Sequence, residues 1–226
     1  YCLVGVLVPA YARPAPLTQP QIAAISHRTQ ATFGQQAQML GYDINTQRIQ
    51  PGGELIVTVY WQALAPSAPN LSVFVKLFSR DGPVIAGRDT YPGLGNFPAS
   101  RWNAGDTFSD RYRIVLDPWT FAPDEADVLV GLYIPGGDRL PVTSPTGESI
   151  GSAITLTRVT VAPLAGDYPN PARINFDNKM ILLGYDMSTR TVRAGDTITL
   201  TLYWELTRPA QYDYNVFAHV TGQEQY

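Results

Sequence analysis

The chain writes one strand pattern twice. Residues 33–83, from FGQQAQMLGYD through VTVYWQALAP, align without a gap to residues 176–226, from FDNKMILLGYD through LTLYWELTRP, at an offset of 143. Of the 51 aligned positions, thirteen are identical: Phe33/Phe176, Leu40/Leu183, Gly41/Gly184, Tyr42/Tyr185, Asp43/Asp186, Thr46/Thr189, Gly52/Gly195, Thr58/Thr201, Tyr60/Tyr203, Trp61/Trp204, Pro66/Pro209, Val73/Val216 and Phe74/Phe217. Glycines, aromatics and alternating positions are what a shared backbone demands. The first copy runs on to about residue 163. The pattern therefore predicts a whole module at 33–163 and the amino-terminal half of a second at 176–226, a tandem repeat with its second copy incomplete.

Period-two alternation sets the fold class. In 54–62, Leu55, Val57, Val59 and Trp61 share one parity, and Ile56, Thr58, Tyr60 and Gln62 the other. The second copy repeats this with Ile198, Leu200, Leu202 and Trp204 against Thr199, Thr201, Tyr203 and Glu205. Such alternation marks strands with one face on a core. Further strands are expected at 71–79, 84–89, 107–115, 126–135 and 153–162. In the last, apolar parity switches between Leu156 and Val159, the mark of a bulge or of a strand that changes sheet. Turn signals such as Pro51-Gly52-Gly53, Asp81-Gly82-Pro83 and Pro135-Gly136-Gly137-Asp138 separate these runs. The expected class is all-β, an immunoglobulin-like β-sandwich. Half a sandwich would expose an unpaired edge and an apolar face, which a partner protein or further chain would have to cover.

Only 15% of the residues are charged and the formal net charge is −3. With no basic cluster there is no electrostatic footprint for nucleic acid. A lone Cys2 forms no internal disulfide. Residues 1–9, YCLVGVLVP, are apolar and uncharged but cover only about 14 Å as helix, half of a bilayer core. Residues 1–12 are read as either a buried strand or frayed terminus, or the trailing end of a transmembrane helix, stopped near Arg13-Pro14. Residues 13–32 then form a proline-rich linker, and 164–175 a second.

The run from PAYARP through ATFGQQAQMLGYD and VTVYWQALAP to SRWNAGDTFSDRYRI, VGLYIPGGDRLPV and ITLTRVTV resembles a carboxy-terminal region of certain bacterial glycosyltransferases. These are polytopic membrane enzymes of the protein mannosyltransferase and aminoarabinose transferase group, whose last transmembrane helix is followed by exterior β-sandwich modules. The resemblance implies a membrane-associated, extracytoplasmic module with carbohydrate or a lipid-linked sugar as its partner and the membrane reached through the amino-terminal segment. Chemistry in that family belongs to the membrane-embedded portion, so no catalytic residue and no cofactor is carried over.

The residues themselves agree that chemistry is sparse. His27 and His219 are the only histidines, one in the linker and one at an outward strand position. Neither suits a nucleophilic triad, and with one cysteine they cannot build a zinc site. Asp43, Asp186, Asp81 and Asp106 sit in or beside turns, where aspartate caps local backbone. Candidate ligand contacts are therefore aromatic. Tyr91, Phe97, Arg101 and Trp102 fall in the loop 89–103, and Trp119 follows the Asp117-Pro118 turn. Exposed rings stack on sugar faces and arginine supplies paired donors. The same rings would equally serve as a lid folded back on the core.

Overall fold

A computed structural model describes residues 12–209 and 212–220. The candidate membrane segment at 1–12 lies, but for Ala12, outside the described residues, as does Cys2. No described helix is long and apolar enough to cross a membrane.

The first described element is a short helix, α1 (Gln19–Ala23), opened by a capping box in which Thr18 and Gln21 satisfy each other's backbone donors. Eleven strands follow: β1 (His27–Phe33), β2 (Ala37–Ile44), β3 (Arg48–Ile49), β4 (Glu54–Ala63), β5 (Ser72–Ser79), β6 (Val84–Thr90), β7 (Thr107–Val115), β8 (Asp124–Tyr133), β9 (Val142–Thr143), β10 (Ser149–Gly151) and β11 (Ile154–Val161). They build two sheets, ordered β10-β9-β1-β2-β4-β7 and β3-β11-β8-β5-β6. β4 neighbours β7 although β5 and β6 intervene in the other sheet, so the chain crosses between layers twice from β4 to β7. The fold is an all-β sandwich.

The alternation read from sequence becomes the core. Leu55, Val57, Val59 and Trp61 of β4 face Val73, Val75, Leu77, Val128 and Val130 of the opposite sheet, all buried. Each fully buried aliphatic side chain contributes about 1.5–3 kcal/mol. Phe33 packs edge-on to Trp61 with centroids 5.3 Å apart. The β11–β8 ladder slips between Thr155 and Thr157, at the parity change.

Two expectations need correction. Residues 13–32 are not a free spacer: Arg13 pairs with Asp106 at 2.7 Å, the Leu17 amide donates to the Thr107 carbonyl at 3.3 Å, and 27–33 form β1. Asp43 does not cap its own turn. Its carboxylate accepts from the Ser26 amide at 2.8 Å and the Tyr60 hydroxyl at 2.6 Å, stapling two strands to the amino-terminal segment. Burial raises the Asp43 carboxyl, but these donors outweigh it and leave it below the usual range; burial and the same carboxylate push Tyr60 up to about 12.

A third sheet contains β12 (Pro171–Phe176), β13 (Met180–Met187) and β14 (Leu200–Leu206), in that order. Its ladder matches the first sheet position for position. Met39 pairs with Trp61 and Gly41 with Tyr60; Leu182 pairs with Trp204 and Gly184 with Tyr203, each ladder slipping at the intervening leucine. The aromatic pair recurs as well, Phe176 edge-on to Trp204 at 5.3 Å. The repeated glycine has a steric reason. A Cβ on Gly41 would overlap the His27 carbonyl oxygen, and one on Gly184 would lie 2.6 Å from the Pro169 carbonyl oxygen.

Candidate functional site

The loop between β6 and β7 resolves the ambiguity of its aromatics. Phe97 and Trp102 are buried, in an aromatic cluster with Phe108 whose centroids lie 5.2–6.3 Å apart. The Trp102 indole donates to the Phe97 carbonyl at 3.1 Å, and the Arg13 guanidinium covers the Phe97 ring at 4.3 Å. These two rings plug the end of the sandwich and offer no face to a ligand, which corrects their assignment as contacts. Tyr91 and Trp119 keep about half their surface in solvent, and Arg101 is exposed.

The exposed members do not converge. The 91–105 loop sits where β4 ends, since Gly105 and Asp106 exchange backbone hydrogen bonds with Ala63. Trp119 follows the far end of β7, where Leu116 donates to Gly53 at the start of β4. Nine residues of β7 separate the two ends, a span of about 30 Å. Five residues expected in one site therefore divide between a plug, one rim and the opposite rim.

What gathers near Tyr91 was not singled out by sequence. On the outer face of the second sheet Phe74 lies flat over Gly131, where any Cβ would overlap its ring. The Arg139 guanidinium sits 4.8 Å from the Phe74 centroid and the Lys76 ammonium 5.6 Å. Lys76 also pairs with Asp89 at 3.4 Å, and the Tyr133 hydroxyl donates to Asp89 at 3.3 Å. Burial, followed by the Asp89 charge, raises the Tyr133 phenol, and the Tyr91 phenol adds to this. Ring, hydroxyl, carboxylate and cations thus share one end of one sheet. The signal in sequence was period two: Phe74 and Lys76 lie on the outward parity of β5.

The loop also holds a buried acid. Asp110 points inward from β7; one carboxylate oxygen accepts from the Gly93 amide and the Tyr112 hydroxyl, each at 3.1 Å, while the other has no partner. Burial pushes this carboxyl up to about 6.

The third sheet is joined to the sandwich through the 116–123 loop. Asn170 accepts from the Ala122 amide and Tyr185 donates to the Trp119 carbonyl, each at 3.0 Å. Arg190 reaches the buried Asp124 at 3.2 Å and Asp81 at 3.3 Å, and lies 4.2 Å over the Phe121 ring. Asp81, expected to serve its own turn, is drawn into this junction.

Beyond the junction lies an open apolar surface. A cavity of about 710 Å³ is walled by Phe176, Leu200, Leu202, Trp204, Val216 and Phe217. The first four are core-parity positions of the third sheet, with Val216 and Phe217 beside them. The outward-parity aromatics Tyr60, Phe74 and Tyr203 form no such surface, because Phe74 is buried, Tyr60 is tied to Asp43 and Tyr203 packs against Tyr168 at 4.8 Å.

No group of three His, Cys, Asp or Glu side chains that would hold a metal occurs among the described residues. His27 stacks on Tyr42 at 4.7 Å, and His219 lies beside Phe217 at 5.1 Å.

No protein-family model and no curated protein matches this chain. Among solved structures it is similar to the C-terminal domain of wzt, at 10% identity and a TM-score of 0.42, over 63% of this chain and 84% of that one. It is also similar to a protein described as a β-galactosidase from Bacteroides fragilis, at 10% identity and a TM-score of 0.24, over 78% of this chain and 18% of that one. Overlap this loose assigns no function.

Proposed function

We propose that this chain is a non-catalytic, extracytoplasmic β-sandwich module of a membrane-anchored glycosyltransferase, engaging carbohydrate at the Tyr91 end of its second sheet. The supporting observation is the grouping of Asp89, Tyr133 and Arg139 around the buried Phe74, with Tyr91 next to the end of β6; Asp89 and Tyr133 are carried on paired strands and Arg139 is bridged to Tyr133. The exposed Tyr91 ring gives a sugar an apolar face to stack on, the Asp89 carboxylate accepts from its hydroxyls, and the Arg139 guanidinium donates a fork of hydrogen bonds, while buried Phe74 is the floor beneath them. The parent enzyme and the side of the membrane come from the sequence resemblance. The mechanism is binding: the sheet holds these groups in place, and three carboxylates elsewhere are held by partners, Asp106 by Arg13, Asp127 by Arg158 and Asp124 by Ser79 and Arg190.

Calorimetric titration of the chain against oligosaccharides and lipid-linked sugar headgroups tests the reading. The expected result is binding that weakens at least about tenfold, or about 1.4 kcal/mol, in a Tyr91→Ala/Arg139→Ala variant. Absence of affinity across the whole panel refutes it. A second reading, a structural module that docks another protein, is favoured by the open apolar face of the third sheet.

A further inference from the structure

We infer that the open face of β12–β13–β14 is one wall of a second sandwich core, and that its occupant is an antiparallel β-sheet with an aliphatic face like that of β5, β8 and β11, joined edge to edge to residues 212–220. The inference deepens the docking reading and is independent of the carbohydrate reading.

The case rests on a covered counterpart within the same chain. The ladders of the first and third sheets coincide through their bulges and their Phe–Trp pairs. Equal registers put equivalent side chains on equivalent faces. In the sandwich, Phe33, Val57 and Val73 are 0%, 0% and 1% exposed; their counterparts Phe176, Leu200 and Val216 are 48%, 40% and 54% exposed. The difference is one of cover. Over the first sheet lies the Val and Leu parity of β5, β8 and β11; among the described residues, nothing comparable lies over the third. The substitutions keep the face apolar: Val57 becomes Leu200, Val59 becomes Leu202 and Met39 becomes Leu182. A merely solvated face would tolerate polar residues at these positions.

The wall also indicates where cover would begin. Residues 212–220 hold the alignment positions of 69–77, which include most of β5, and Val216 and Phe217 already border the cavity. In the sandwich β5 is flanked by β8 and β6, pairing Val73 with Leu132 and Val75 with Val130. Residues 212–220 belong to no strand, and in the completed core they would take the place of β5 and accept a strand by β-augmentation. Electrostatics favour such a neutral occupant: the charged residues at the cavity, Asp177 and Lys179, neutralise each other at 2.7 Å. An anionic lipid surface would call for unpaired basic groups around the rim, and the cavity lining supplies none.

The test uses the full chain and a synthetic peptide with the sequence of residues 124–134, which carries β8. Hydrogen-exchange mass spectrometry is read over 200–206 and 212–220, with the amides of β2 and β4 as an internal control of folding. Excess peptide is expected to slow exchange in both segments about tenfold or more, whereas a scrambled peptide does not. Leu202→Asp, and separately Val216→Asp, abolish the effect while β2 and β4 stay protected. Failure of the peptide to protect either segment overturns the inference, as does equal protection by the scrambled sequence. Protection by a concentration-dependent dimer of the chain, or by phosphatidylglycerol vesicles, without peptide overturns it in favour of those occupants. Sugar titration of the same sample reports the Tyr91 end separately, so the two readings fail independently.

Discussion

Asp110→Asn isolates one buried ionisation. Burial pushes the Asp110 carboxyl from an ordinary 3.8 to about 6. Between those values the folded chain retains a proton that the unfolded chain has released, so stability falls as pH rises. The contribution is fully present below about pH 3.8 and is lost above about pH 6. A shift of roughly two units corresponds to about 3 kcal/mol, at 1.36 kcal/mol per unit. Asparagine keeps an acceptor for the Gly93 amide and has no proton to lose. Urea unfolding of wild type and variant at half-unit pH steps gives the difference in unfolding free energy. Groups common to both chains cancel in that difference. The variant is expected to gain about 3 kcal/mol relative to wild type between about pH 3.5 and 7, then to hold level. A difference that stays flat to within about 0.5 kcal/mol across that window, or that falls, refutes the argument from burial.

Phe33→Ala is expected to cost about 3–5 kcal/mol, whereas Phe176→Ala at the equivalent register costs less than about 1, because only the first ring is fully enclosed; parallel denaturant titrations check this. Arg190→Ala removes the cation from the buried Asp124 and is expected to destabilise the junction by about 2–3 kcal/mol, read as faster amide exchange at 185–190 with β4 unchanged. Gly41→Ala forces a Cβ onto the His27 carbonyl and is expected to cost at least about 1–3 kcal/mol, measured as a loss of unfolding free energy.

Much of the fold was legible because strands with one buried face must alternate. Leu55, Val57, Val59 and Trp61 declared their face in sequence, and the Leu156–Val159 parity change declared the ladder slip at Leu156. The candidate site was far less legible. Phe97 and Trp102 have the composition of a sugar platform, and only the path of the 91–105 loop over the sandwich end shows that they are a plug. Trp119 is near that loop in sequence after one strand, yet β7 carries it to the opposite rim. Phe74, Lys76, Asp89, Tyr133 and Arg139 are spread over 66 positions, and only strand pairing and the Tyr133–Arg139 bridge bring them together.

The repeated LGYD motif draws the division most clearly. Sequence by itself determined that Gly41 and Gly184 recur, because backbone crossing leaves no room for a Cβ in either copy. It also determined which face of each sheet is apolar, since side-chain parity follows from the covalent geometry of a strand. Tertiary structure decided what the repeated groups meet. The Tyr42 hydroxyl donates to the Leu156 carbonyl across the sandwich at 2.7 Å, whereas the Tyr185 hydroxyl donates to the Trp119 carbonyl at the junction. Trp61 is sealed between two sheets and Trp204 borders a cavity. Local pattern sets which way a side chain points; burial depends on what distant segment arrives to cover it, and that is a property of the assembled fold.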